Sequence, residues 1–332
     1  MIPSPPARRA LVTGATGFLG TNLVSRLHAE GWSVSLLALP GTCDGNGPAR
    51  VHEYDGETES VMAAVSESQP DVVFHLASLF LASHEPAQVT RLIHGNVLLG
   101  TQLLEAMSLH AVSPRLVNAG SYWQHYEDRD YDPVCLYAAT KQAFEDILTF
   151  FVNARHVSAV TLKLFDTYGP NDPRPKLLRQ LQTAAAEGKT LAMSPGEQLA
   201  SFVYIDDVID AFLLAANRLL GGIVDGHESY AVNADQPICL RELVEVFARV
   251  TGMAVKVEWG ARPYRARETM APWSKGVRLP GWTPKLTLEE GLRRMCVSGP
   301  VSERDKEGSP HTICHSERSE EPFFSRAPRP LN

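Results

Sequence analysis

The sequence predicts an α/β protein: a doubly wound parallel sheet with a smaller mixed α/β domain beside it. Three observations carry this expectation. From Arg9 to Phe165 short apolar runs alternate with amphipathic stretches, the pattern of βαβ units whose strands are buried on both faces. A glycine-spaced turn, VTGATGFLG (Val12–Gly20), joins the first apolar run to the first amphipathic one. After Phe165 the turn-rich DTYGPNDPRPK marks the chain leaving the sheet for a second region.

The elements follow in order. RALVT (9–13) reads as a buried strand. FLGTNLVSRLHAEG (18–31) reads as a helix with Leu19, Leu23, Val24 and Leu27 on one face and Gly31 as its stop. SVSLLAL (33–39) is the second strand. A short strand near Val51, a helix before Gln69 and the buried strand DVVFHLAS (71–78) come next. Arg91 to His110 predicts one long helix, RLVNAG (115–120) a strand, 136–154 a helix and VSAVTLKLF (157–165) a strand. SFVYIDDVIDAFLLAAN (201–217) reads as a return strand and helix, and LRELVEVFARVTG (240–252) as an amphipathic helix. GWTPKLTLEEGLRRM (281–295) predicts a turn and then a helix capped by Thr287, with Glu290 three residues on as in a capping box. The tail 298–332 is polar, charged and proline-punctuated, and is expected to be disordered.

Composition narrows the function. The 332 residues are 44% hydrophobic and 21% charged, enough for a full-sized core. A formal net charge of −7 argues against a nucleic-acid binder, though a locally basic pocket would still take an anionic small ligand. Cys43, Cys135, Cys239, Cys296 and Cys314 are scattered without zinc or redox spacing, which points to reduced thiols in a cytoplasmic protein. HTICH (311–315) lacks a second cluster, so no metal site is expected. The apolar run at the start is too short for a signal peptide, and nothing approaches the ~20 apolar residues of a membrane helix. A soluble protein with no membrane partner is the expectation.

The glycine turn carries the chemistry. Gly14, Gly17 and Gly20 lie between a strand and a helix, where the backbone must approach a pyrophosphate and the helix N-terminus meets its charge. The fold expectation is therefore Rossmann-type. Strand two ends in LLALPGT, with neither the acid that binds NAD ribose nor a base for NADP; its first acid, Asp44, is set back in a loop. Without a carboxylate to repel a 2′-phosphate, the reading favours NADP(H), with NAD as the other candidate.

Four tyrosines, Tyr122, Tyr126, Tyr131 and Tyr137, crowd into Asn118–Lys141. Only Tyr137 has a lysine, Lys141, four positions on, so both project from one helix face. Alone, that spacing is an ordinary helix pair; downstream of a nucleotide turn it is a candidate acid/base. A phenol of reference pKa about 10 needs help to work near neutrality, and a nearby ammonium would lower its pKa.

The G-x-x-G-x-x-G spacing resembles the extended, sugar-nucleotide-modifying branch of the short-chain dehydrogenase/reductase superfamily, from about Arg9 to Met295. YDG (54–56), HLAS (75–78), Asn96 in GNVLLGTQLLEA, LFDTYGP, VYIDDV and GWTPKLTLEEGL are similar to further signatures of that branch. The resemblance implies Ser121, Tyr137 and Lys141 as catalytic residues. It implies a cofactor site of Gly14, Thr16, Gly17, Phe18, Leu19, Gly20, Asp55, Gly56, Leu76, Ala77, Ser78, Asn96, Tyr137 and Lys141. It divides the chain into a dinucleotide-binding domain, 1–165 with a return segment about 201–235, and a substrate-binding domain, 166–200 and 236–297.

Dehydratases of this family carry an acid pair directly after the Ser/Thr, but Ser121 is followed by Tyr122 and Trp123. That disfavours dehydration and leaves ketone reduction or epimerisation. GSYWQHYED and LFDTYGPNDPR look most like the CDP-paratose/CDP-abequose synthase group, which implies reduction of the 4-keto group of a CDP- or dTDP-linked deoxyhexose. On that analogy Ser121, Trp123, Gln124, His125, Asp166 and Arg262 bind the nucleotide-sugar substrate. Equally open is Trp123 as core and His125 as a satisfied polar residue. Family members often place an arginine before VYIDDV; Ala200 and Ser201 stand there instead, leaving Arg262, helped by Arg174, Lys176 or Arg179, for the diphosphate. An NAD-dependent epimerase and a non-catalytic NAD(P)-sensing module are the alternatives. A homodimer through helix 136–154 is implied, with Phe144, Ile147, Leu148 and Phe151 facing either a partner or the monomer's own sheet.

Overall fold

The computed structural model describes residues 7–43 and 47–297. Asp44, Cys314 and the expected disordered tail lie outside the described residues. The first half builds β1 (Arg9–Thr13), α1 (Phe18–Ala29), β2 (Ser33–Ala38), β3 (Arg50–Glu53), α2 (Thr58–Ser68) and β4 (Val72–His75). It continues with α3 (Val89–Ile93), a π turn (His94–Leu98), α4 (Leu99–His110), β5 (Arg115–Ser121), α5 (Leu136–Arg155) and β6 (Ser158–Leu164). Then come β7 (Asp166–Tyr168), α6 (Leu177–Glu187), β8 (Thr190–Met193), β9 (Leu199–Ala200), β10 (Phe202–Tyr204), α7 (Ile205–Leu220) and β11 (His227–Val232). The described chain ends with β12 (Ile238–Cys239), α8 (Leu240–Thr251), β13 (Lys256–Trp259) and α9 (Leu288–Val297).

Seven strands pair in the order β11-β6-β5-β4-β1-β2-β3, all parallel. The order reverses direction after β1, so helices cover both faces. Alternation along β1 shows this directly. Val12 joins a core with Leu23 and Leu27 of α1 and Val208 and Phe212 of α7. Leu11 joins the opposite core with Val65 of α2, Leu103 and Met107 of α4. Phe144, Leu148 and Phe151 of α5 are buried in that second core, so they face the monomer's own sheet.

Two expectations are corrected. The strand within SFVYIDDV, β10, does not enter the main sheet. It pairs parallel with β7 in a separate two-stranded sheet, and β11 makes the return by pairing with β6. Phe202–Tyr204 is three residues long, and its apolar composition suits either place. The long helix begins earlier, at Val89, and is broken by the π turn. That turn widens the helix where Asn96 faces inward, which its apolar periodicity conceals. Parallel β8–β13 and antiparallel β9–β12 complete the small sheets. Among the described residues no helix is long and apolar enough to cross a membrane.

The later signatures lock onto one another. The Trp282 indole N–H donates to the Asp207 carbonyl at 2.8 Å and the Leu286 N–H to the Asp207 carboxyl at 3.1 Å. Thr287 and Glu290 form the expected box: the Thr287 N–H donates to the Glu290 carboxylate at 2.9 Å and the Glu290 N–H to the Thr287 hydroxyl at 3.3 Å.

The glycine turn packs backbone against backbone. Gly14 has φ +72°, and a Cβ there would stand 2.5 Å from the Ala77 nitrogen. A Cβ on Gly20 would stand 2.1 Å from the Gly14 oxygen. Because both obstacles are backbone, Gly20→Ala is expected to cost about 2–3 kcal/mol, read as a thermal midpoint roughly 5–10 °C lower. Gly47→Ala, with nothing within 4 Å, is expected to leave the midpoint unchanged.

Candidate active site

Parallel pairing brings the carboxyl ends of β1, β4 and β5 to one edge, with Thr13 beside His75 and His75 beside Asn118. Ligands of open α/β sheets bind outside that edge. The residues implied for the cofactor gather there. Gly14 to Gly20 form the turn and the start of α1, whose N-terminus has no side-chain cap and no acid in its first turn. Leu76, Ala77 and Ser78 follow β4 directly. Asp55 is exposed past β3, where its carboxylate accepts the Glu57 N–H at 3.0 Å, and Gly56 turns with φ +101°. These residues fit a dinucleotide: the backbone at Gly14 and Gly20 leaves no room for a Cβ, and the first turn of α1 has neither a side-chain cap nor an acid to compete with an anion.

Asn96 is 1% exposed and uses its whole amide. Its oxygen accepts the Leu79 N–H at 2.7 Å and the Ser78 hydroxyl at 3.1 Å. Its nitrogen donates to the Leu79 carbonyl at 3.0 Å and to the Thr140 hydroxyl at 2.9 Å. Asn96 therefore ties the loop after β4 to helix α5 between Tyr137 and Lys141.

Tyr137 and Lys141 lie one turn apart on α5, with the ammonium 6.0 Å from the phenol ring centre. Burial pushes the Tyr137 phenol up to about 12, while hydrogen bonding with Ser121 and Ser78 pulls the other way. In the protein without its cofactor desolvation is the largest cause, and it opposes the expected lowering. Lys141 itself is lowered to about 8 by burial, with Glu145 opposing the shift and Lys163 adding to it. His75 is driven to about 3 by burial and by Lys141, so it is neutral; its Nδ1 lies 2.9 Å from the Thr13 hydroxyl.

The run after Ser121 separates. Trp123 is 7% exposed yet lines a cleft. Gln124 is 0% exposed and turned inward. His125 stacks on Trp273 at 3.8 Å, and its Nδ1 lies 3.2 Å from the Arg129 carbonyl. The structure brings Trp123 to the cleft but not Gln124 or His125, because the turn Tyr122–Gln124 is a tight 3-10 helix that points successive side chains about a third of a circle apart.

The cleft encloses about 530 Å³ beside the end of β5 and β7. Phe80, Tyr122 and Trp123 form its aromatic end, and Asp166 lies at its wall, accepting the Tyr122 hydroxyl at 3.3 Å. Lys176, Arg179, Arg262 and Arg265 supply positive charge. Arg174 does not line the cleft: it pairs with Asp172 at 2.7 Å and lies 4.7 Å over the Phe18 ring. Ser201, standing in for the arginine of other members, is buried and accepts the Ala234 N–H at 2.9 Å.

Sequence reading missed Phe80 and Arg265. The Phe80 ring lies 5.0 Å from Tyr137 and 5.3 Å from Trp123, with the Lys176 ammonium 4.4 Å from it. No periodicity flags a lone aromatic in a loop. Arg265, 5.0 Å over Trp123, had a signal in its neighbourhood to Arg262. The buried pair Glu145–Lys163 was half visible, since Glu145 follows Lys141 by four on the same helix.

Lys141 is lowered, so its ammonium is nearly complete only a unit or more below about 8 and is lost as pH rises through that value, while Tyr137 stays protonated through the same range. Turnover is expected to be flat well below about pH 8, to bend as that value is approached and to fall above it, as read from a pH–rate profile. Lys141→Met should abolish that limb together with most of the rate.

The family model described as the NAD dependent epimerase/dehydratase family matches residues 10–225. The CDP-abequose synthase of Salmonella muenchen is 28% identical over 296 residues, covering 87% of this chain and 97% of that protein. The dTDP-6-deoxy-L-talose 4-dehydrogenase (NAD(P)(+)) of Kitasatospora kifunensis is 28% identical over 320 residues, covering 88% of this chain and 96% of that one. Among solved structures, MoeE5 in complex with UDP-glucuronic acid and NAD matches with a TM-score of 0.73 at 28% identity, covering 86% of this chain and 97% of that chain. With more than half of its length matched and its glycine turn, Ser121, Tyr137 and Lys141 gathered at one sheet edge, the chain belongs to the NAD dependent epimerase/dehydratase family.

Proposed function

We propose that the protein uses NAD(P)H to reduce the 4-keto group of a deoxyhexose carried on CDP or dTDP. One observation carries this reading: the buried Tyr137 phenol and the Ser121 hydroxyl are hydrogen-bonded partners, with Lys141 one helical turn beyond Tyr137, so a proton donor and a carbonyl polariser stand together. Tyr122 and Trp123 follow Ser121 with no carboxylate, which argues against removal of water from the sugar. A CDP-sugar synthase and a dTDP-sugar 4-dehydrogenase among the relatives support the same substrate class.

The glycine turn would hold the cofactor's pyrophosphate, and the bound reduced nicotinamide cofactor would supply the hydride. The chain's own residues do the rest. Ser121 donates to the ketone oxygen and polarises the carbonyl. Tyr137 gives its proton to the same oxygen as negative charge builds there. Lys141 holds the ribose and offsets the charge left on the phenol. Lys176, Arg179, Arg262 and Arg265 face the diphosphate, and Asp166 accepts a sugar hydroxyl. The segment that follows β2, Leu39 to Cys43, carries no charge, which favours NADPH over NADH.

The test incubates the protein with NADPH or NADH and CDP-, dTDP-, UDP- and GDP-linked 4-keto-deoxysugars, following absorbance of the reduced cofactor. Stoichiometric oxidation with a CDP or dTDP sugar, faster with NADPH, is the expected result. Conversion without net cofactor oxidation would assign an epimerase instead. Tyr137→Phe should lower kcat by roughly 10²–10⁴ with cofactor affinity retained; unchanged turnover would remove Tyr137 from the mechanism.

A further inference from the structure

Gln124 has no role in the reading above, yet it is fully buried and every part of its amide is used. Its oxygen accepts the Ser121 N–H at 3.1 Å. Its nitrogen donates to Gln142 at 2.8 Å and to Glu145 at 3.0 Å. Glu145, 6% exposed, accepts both contacts of the Lys163 ammonium, at 2.7 and 2.8 Å. Lys163 is 3% exposed. The chain of contacts thus runs from β6 through α5 to the last residue of β5. It passes beside Gly120, where a Cβ would stand 3.2 Å from the Glu145 carboxylate and 3.0 Å from Lys163 Cδ.

We propose that Gln124 is a positioning residue: anchored on the Glu145–Lys163 pair, it holds the Ser121 backbone so that the Ser121 hydroxyl meets the substrate oxygen beside Tyr137. The proposal rests on the ketoreductase reading of Ser121. Its physical basis is reciprocity. The Ser121 hydroxyl accepts the Trp123 N–H at 3.2 Å while the Gln124 side chain takes the Ser121 N–H, so the two ends of one short turn fix each other. That turn also carries Trp123 to the cleft. An unanchored glutamine would have several rotamers, and the buried ion pair removes that freedom by offering one acceptor in one place. Burying two charges is costly unless they are paired and hydrogen-bonded, so Glu145 and Lys163 require Gln124 as much as Gln124 requires them.

Two variants separate this from packing. Gln124→Met keeps length and apolar volume but removes all three hydrogen bonds. It should lower kcat about tenfold to a hundredfold, the scale for a misplaced group, with NADPH Kd within twofold of wild type. Gln124→Glu, when protonated, again accepts the Ser121 N–H and donates to Glu145; when ionised, it opposes Glu145. The charged and titratable groups around it are Lys141, Glu145 and Asp146 of α5, Lys163 of β6, His227 of β11 and the adjacent His125. The like charge on Glu145 raises the new carboxyl, so this variant should approach wild-type kcat at acidic pH and lose it as pH rises toward neutrality, well below the alkaline limb of wild type.

The probe is a CDP-linked 4-keto-3,6-dideoxyhexose with NADPH, with wild type and Gln124→Met melting curves run alongside. A kcat within twofold of wild type for Gln124→Met would overturn the proposal. So would equal losses for both variants at every pH, which would mark a packing defect. If wild type itself oxidises no NADPH with any 4-keto sugar, the functional reading fails, a result distinct from either.

Discussion

At Gly14 the backbone of the first βα turn lies against the backbone after β4, with no space between them for a Cβ. The rest of the active edge follows from that contact. It sets how close α1 comes to the loop Leu76–Phe80, and that loop is the one Asn96 grips from the π turn. Asn96 in turn reaches Thr140, between Tyr137 and Lys141. One steric constraint at a glycine is thus passed through a buried amide to the position of a phenol.

Electrostatics around that phenol are dominated by desolvation. Tyr137, Lys141, His75 and Lys163 are all shifted toward their neutral forms, with burial as the largest cause for each. Glu145 is the acid set among them, and it opposes the shift of both lysines. A site arranged this way stores its proton on the tyrosine. The ammonium nearest the reacting group is that of Lys141, and the water-poor surroundings strengthen the field it makes.

The cleft divides its labour. Phe80, Tyr122 and Trp123 line the cleft near Tyr137, and its cations come from Lys176 and Arg179 at the start of α6 and from Arg262 and Arg265 in the loop after β13. Lys176 over Phe80 and Arg265 over Trp123 link the two regions. Lys176 is held in the cleft by the Phe80 ring and makes no ion pair among the described residues. Arg265 does have such a partner, Glu268, at 2.8 Å.

Local patterns in the sequence determined the alternation of strands and helices, the glycine turn, the Thr287 cap and the pairing of Tyr137 with Lys141. Each depends on neighbours within a few positions, where spacing maps directly onto geometry. The tertiary structure decided the rest. It alone sent β10 to β7 and β11 to the main sheet, since three apolar residues fit either place. It turned Gln124 inward and Trp123 outward, because a 3-10 turn separates adjacent side chains by an angle no residue type announces. It raised the Tyr137 phenol where a lysine four residues away had suggested the opposite, because desolvation is a property of everything packed around a group and not of its neighbour in the chain.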